Sequence, residues 1–176
     1  SGTYTLAAAL QTQLLRLGVL PVVADGDVLR TGLRQGLGFS DADRKENIRR
    51  AAEAALLLAE TGAVAITALI SPFRDDRHHI AKRCRARGVP FAEVFINAPL
   101  AACEHRDPKG LYKKVRAGLI PSFTGIDSPY EAPLAPTLEL HTDRESVAQS
   151  LAKLTALTLS LARPAGTARG AGGAES

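Results

Sequence analysis

The chain reads as an α/β domain, a parallel sheet with helices on both faces, and three observations predict it. Short apolar runs (Val19–Ala24, Ala63–Ile70, Phe91–Ile96) alternate with longer segments of helical spacing. The run Ala63–Ile70 is continuously apolar rather than alternating, as a strand buried on both faces must be. A length of 176 residues, 45% of them apolar and 23% charged, suits one domain with a full core.

Each element follows in order. Leu6, Leu10, Leu14 and Leu17 stand at helical spacing within Thr5–Leu17, and Gly18 ends that helix. Val19–Ala24 is the first strand, with Pro21 at an irregular or edge-like start. Asp27 caps a short helix to about Gln35. Ser40, with Asp43 three residues on, is close to a capping box and opens a long helix to Glu60. That helix is charged in its first half and apolar in its second, so one end faces water or ligand and the other packs. Strand 63–70, helix 75–87, strand 91–96 and a short helix over Pro99–His105 come next. A strand near Thr137–Leu140 and an amphipathic helix from Asp143 to Ala162 complete the domain, taken as residues 1–162. The tail 163–176 is rich in Ala and Gly and is expected to be disordered.

Composition narrows the function. A net charge of +4, with no basic stripe carrying interleaved aromatics, argues against nucleic acid and for a small anionic ligand. Cys84 and Cys103 lack CxxC spacing and read as buried or half-buried free thiols of a reducing compartment. No apolar run approaches the ~20 residues of a membrane span and no signal peptide is visible, so the expected location is the cytoplasm. His78 and His79 are adjacent and so point about 100° apart on a helix, which reads as a surface pair rather than a metal site.

In such sheets ligands sit beyond the carboxyl ends of the strands. Asp25 and Asp27 follow one strand and Ser71 follows another, which brings them to one rim. The segment Asp107–Glu131, DPKGLYKKVRAGLIPSFTGIDSPYE, fits no core element. It crowds Lys109, Lys113, Lys114 and Arg116, then sets Phe123 in a polar loop. Point charges beside a flat ring suit a lid over an anionic nucleotide.

Four blocks in order carry a specific resemblance. Asp25-Gly26-Asp27 with Arg30, GFSDADRKENIRR (Gly38–Arg50), Ile70-Ser71-Pro72 and the 107–131 lid together resemble the adenylylsulfate kinases over residues 1–162. The resemblance implies a P-loop-NTPase-like parallel sheet whose first strand is missing from this chain. It also implies a reaction in which MgATP phosphorylates the 3′-hydroxyl of adenosine 5′-phosphosulfate (APS). Asp27 is then the residue that orients the hydroxyl and accepts its proton, with Asp25 assisting or holding Mg²⁺ through water. Arg30, Arg44 and Asn47 match the grip on the phosphosulfate, and Phe39 and Phe123 match the two rings that sandwich the adenine. Ser71 matches a serine phosphorylated in the family, and its backbone with that of Ile70 would touch the adenylyl part. Lys114 and Arg106 belong to the cationic cover, Arg106 on the ATP side. For Arg49 and Arg50 a solvated or salt-bridged helix face is expected. A homodimer, and fusion or association with ATP sulfurylase, are implied by the same resemblance.

The pattern departs at its start. The ATP loop of the family ends in Gly-Lys-Ser-Thr, whereas this chain has Gly2-Thr3-Tyr4-Thr5. Thr3 stands at the lysine position and cannot supply charge to the β- and γ-phosphates, and Tyr4 stands at the Mg²⁺-binding hydroxyl. Two readings follow: a kinase, or an inactive module that binds the sulfated nucleotide and regulates a sulfurylase.

Overall fold

The structure, a computed structural model, describes residues 2–25, 32–33, 35–38, 40–107, 110–119, 123–124, 126 and 128–162. Among these residues the order is α1 (Thr3–Arg16), β1 (Pro21–Asp25), α2 (Asp41–Glu60), β2 (Val64–Ala68), α3 (Arg74–Ala86), β3 (Val94–Asn97), α4 (Leu100–Arg106), α5 (Leu111–Arg116), β4 (Leu138–His141) and α6 (Val147–Leu161). The alternation predicted from the sequence is present. The expected helix from Asp27 to Gln35 falls largely on residues outside the described set.

β1 pairs with β2 in parallel, from Pro21 opposite Val64 to Asp25 opposite Ala68, and β3 pairs with β4 from Val94 opposite Leu138 to Asn97 opposite His141. Among the described residues no ladder joins the two pairs, so the parallel sheet is present as two two-stranded pieces. One core holds both. Leu6, Leu10 and Leu14 of α1, Leu140 of β4 and Leu154 of α6 are buried together, with Val64 and Ile66 of β2 and Val94 and Ile96 of β3 packed against them.

Local chemistry sets the boundaries. Gly18, at φ 75°, turns the chain out of α1 in a conformation that glycine adopts without Cβ strain. Pro21 opens β1, a position where its missing N–H is tolerated. Because the link is this short, α1 runs antiparallel to β1 and begins at the carboxyl end of that strand. Ser40 caps α2 as predicted, its hydroxyl accepting from the Asp43 amide at 3.1 Å. Cys84 and Cys103 are buried free thiols, and burial pushes the Cys84 thiol above its ordinary pKa.

Two boundaries differ from expectation. β3 starts at Val94 rather than Phe91, because the Glu93 carbonyl accepts from the Thr137 amide at 2.8 Å ahead of the ladder. α6 starts after Ser146 rather than at Asp143. There Ser146 Oγ accepts from the Gln149 amide at 3.2 Å, while Gln149 Oε1 accepts from the Ser146 amide at 2.8 Å. Ser146→Ala removes half of this reciprocal cap and is expected to cost about 1 kcal/mol of stability. Urea denaturation measures it, and an unchanged midpoint would show that the cap is idle.

Candidate functional site

Parallel pairing fixes the first part of the site. Asp25 ends β1, is only 7% exposed, and lies opposite Ala68, the last residue of β2. Two residues beyond Ala68 the chain turns through Ile70 and Ser71. Ile70 is 63% exposed, and Ser71 has φ 42°, the one non-glycine residue in the left-handed region among the described residues. A side chain in this left-handed region is strained and persists where its surroundings hold it. The predicted convergence of Asp25 and Ser71 on one rim is therefore present. The start of α1 lies at the same end, with Gly2 as its N-cap at φ 80°.

The second part comes from α2 and the lid. Arg44, on the first turns of α2, donates through Nη1 to Thr124 Oγ1 at 2.7 Å and to Ser128 Oγ at 3.4 Å. The guanidinium proposed from the sequence as an anion grip thus already touches the lid. Asn47 lies one turn on, 7% exposed, and among the described residues its Oδ1 has no hydrogen-bond partner. A buried acceptor left unpaired is costly, and a ligand N–H or O–H would satisfy it. Arg49 and Arg50 do form the expected ion-paired face. Both bond Glu46, at 2.7 and 2.8 Å, and hold its carboxyl down to about 2.

Part of the lid is helical. α5 carries Lys113, Lys114 and Arg116. Phe123, expected as an exposed face, is half-buried and meets Tyr112 edge to face, with ring centroids 5.1 Å apart. Burial, with Cys103 beside it, pushes the Tyr112 phenol up to about 12. Sequence reasoning missed Tyr112, although its place three residues before buried Val115 was a signal for an inward face. Arg116 is spent on Glu104, at 2.6 Å, rather than held over the rim. Lys114 is exposed, and Arg106 donates to the Thr142 carbonyl at 2.5 Å, just beyond β4.

The far end of the lid is tied down by residues the sequence did not flag. Arg77 and Arg74 of α3 bond the chain at Glu131 and Ala132, through Nη2 to the Glu131 carbonyl at 2.6 Å and Nε to the Ala132 carbonyl at 2.7 Å. Asp27, Arg30, Phe39 and Lys109 lie outside the described residues. His78 and His79 are exposed on α3, and among the described residues no group of three or more His, Cys, Asp and Glu is placed to hold a metal. Tyr4 is 59% exposed, and a phenol on the first turn carries its oxygen too far from the backbone to replace a serine hydroxyl as a metal ligand. At the start of α1 the residues do not fit the metal that accompanies ATP.

Parallel pairs, helices over them and a strap across the carboxyl rim define the class, a P-loop-NTPase-like α/β domain. Within that class the chain belongs to the adenylylsulphate kinase family, whose model matches residues 1–141. It is 51% identical over 160 residues to a probable adenylyl-sulfate kinase of Halalkalibacterium halodurans, covering 89% of this chain and 76% of the relative. It is 49% identical over 147 residues to the adenylyl-sulfate kinase of Saccharomyces cerevisiae, covering 84% and 73%. The Mycobacterium tuberculosis APS kinase CysC, solved in complex with AMPPNP and APS, superposes with a TM-score of 0.85 at 45% identity, covering 89% of this chain and 90% of that one.

Proposed function

We propose that residues 1–162 form an adenylylsulfate kinase domain that binds APS beneath the lid and phosphorylates its 3′-hydroxyl with ATP. The observation that carries this reading is Arg44 bonded to Thr124 and Ser128, which brings the α2 block and the lid block, 80 residues apart in sequence, to one place. Arg44 and Arg30 would hold the phosphosulfate, Asn47 would supply its unpaired acceptor, and Phe39 and Phe123 would flank the adenine. Ile70 and Ser71 would line the adenylyl part and Lys114 would cover it. Asp27 would take the hydroxyl proton with Asp25 beside it. Gly2, Thr3, Tyr4, Thr5 and Arg106 would meet ATP. Mg²⁺ would arrive on ATP and supply charge neutralisation at its phosphates, and since the start of α1 does not fit it, Asp25 is the side chain that would hold its waters. A cytoplasmic homodimer, alone or joined to an ATP sulfurylase, fits the same reading.

A second reading is favoured by Thr3 and Tyr4: an APS-binding regulatory module that no longer uses ATP. One experiment separates them. The protein is incubated with ATP, Mg²⁺ and APS, and 3′-phosphoadenylyl sulfate is measured alongside APS affinity by calorimetry. Turnover supports the kinase. Binding without turnover supports the module, and absence of both rejects the shared nucleotide site.

A further inference from the structure

We propose that Arg77 is a positioning residue that locks the Ser71 turn to the return end of the lid, setting the nucleotide-facing turn and its cover as one unit. The proposal rests on the reading of Ile70–Ser71 as part of the APS surface. Arg77 is an unusual residue to find buried: it is 8% exposed in the first turn of a helix otherwise crowded with solvated charge. Two of its guanidinium nitrogens donate hydrogen bonds, and the third meets its carboxylate as an ion pair without a formed hydrogen bond. Nη1 donates to the Ser71 carbonyl at 2.5 Å, Nη2 to the Glu131 carbonyl at 2.6 Å, and Nε faces Glu93 Oε1 at 2.5 Å. Glu93 supplies the countercharge that a buried cation needs, and the Tyr130 ring covers the guanidinium carbon at 5.9 Å. A planar fork can bridge two carbonyls and a carboxylate at once, and an ammonium cannot reproduce that geometry.

The two backbone carbonyls it joins belong to functionally separate segments. One is that of Ser71, whose positive φ needs an external hold. The other closes the lid. The joint is reinforced from both sides: the Glu131 amide donates to the Pro72 carbonyl at 2.9 Å, and the Glu131 carboxylate accepts from the Arg74 amide at 2.7 Å. Tyr130 stacks on Phe95 of β3 with centroids 6.1 Å apart, which anchors the joint to the sheet. Because one side chain holds both segments, loss of the fork should loosen them together even though neither Arg77 nor Glu131 is proposed to touch the nucleotide.

Arg77→Lys and Arg74→Ala, each in the full chain, test this. For folded Arg77→Lys the expected result is APS affinity about tenfold weaker by calorimetry, with faster amide hydrogen exchange confined to residues 71–74 and 130–132. Arg74 is exposed, so Arg74→Ala tests the same joint without disturbing the core, should Arg77→Lys fail to fold. It is expected to speed exchange of the Glu131 amide and weaken APS about threefold at an unchanged melting temperature. A merely structural Arg77 would lower the melting temperature but leave the affinity of the folded fraction intact. Parental affinity in folded Arg77→Lys, or in Arg74→Ala if only that variant folds, overturns the proposal while leaving the APS site standing. Failure of the parent protein to bind APS overturns both.

Discussion

Thr3→Lys combined with Tyr4→Ser is expected to raise the rate of APS phosphorylation by about 10²- to 10³-fold over the parent protein, because removal of one strong transition-state contact typically costs that much. The scaffold for the change is present. Gly2 holds φ 80° at the N-cap of α1, its carbonyl accepts from the Leu6 amide at 3.0 Å, and buried Asp25 ends the neighbouring strand β1. First-turn amides are ready donors to phosphate oxygens. Mobile positive charge is what this segment lacks, and Thr3 offers only a short hydroxyl. Lysine restores the point charge at the β- and γ-phosphates, and serine restores a short hydroxyl where the exposed Tyr4 phenol extends away. Initial rates at saturating ATP and APS measure the effect. A folded double variant with unchanged turnover would mean that α1 is not the ATP end of the site, and the regulatory reading would then gain.

Sequence reasoning found the ends of strands and helices wherever one residue type decides them. Gly18 at φ 75°, Pro21 at the head of β1 and Ser40 over α2 act through their own backbone or hydroxyl, so their roles could be read without knowing what surrounds them. Asp25 and Ser71 were placed on one rim by the topology of parallel strands alone. The Ser146-x-x-Gln149 box was equally local, but Asp143 three residues earlier looked like the start. Tertiary partners decided the rest. Arg77 reads as one more cation in RDDRHH, and only Glu93 and two carbonyls from residues 71 and 131 make it buried. Arg116 reads as lid charge until Glu104 claims it, and Phe123 as an open ring until Tyr112 meets its edge. The lid blocks could be recognised by wording, yet which of their cations face the rim depends on which carboxylates stand nearby.

Arg44→Ala is expected to weaken APS binding by about 2–3 kcal/mol, or roughly 30- to 150-fold in Kd, the cost of losing charge-assisted hydrogen bonds to an anion. Arg44 makes two kinds of contact, and they must be told apart. Its Nη1 latches the lid at Thr124 and Ser128, so part of the loss would come from a looser cover. Thr124→Val removes the shorter latch and leaves the cation, and should cost only about threefold if the guanidinium acts mainly on the ligand. Arg44→Lys keeps the charge without the fork and should fall between the two, because a bidentate guanidinium loses geometry as well as hydrogen bonds when replaced by an ammonium. Calorimetry on the folded variants orders the series. Equal losses in Thr124→Val and Arg44→Ala would make Arg44 a lid latch alone, and undiminished affinity in Arg44→Ala would remove it from the site. The graded order would instead place the guanidinium on the anion, with the lid hydroxyls orienting it before the ligand arrives.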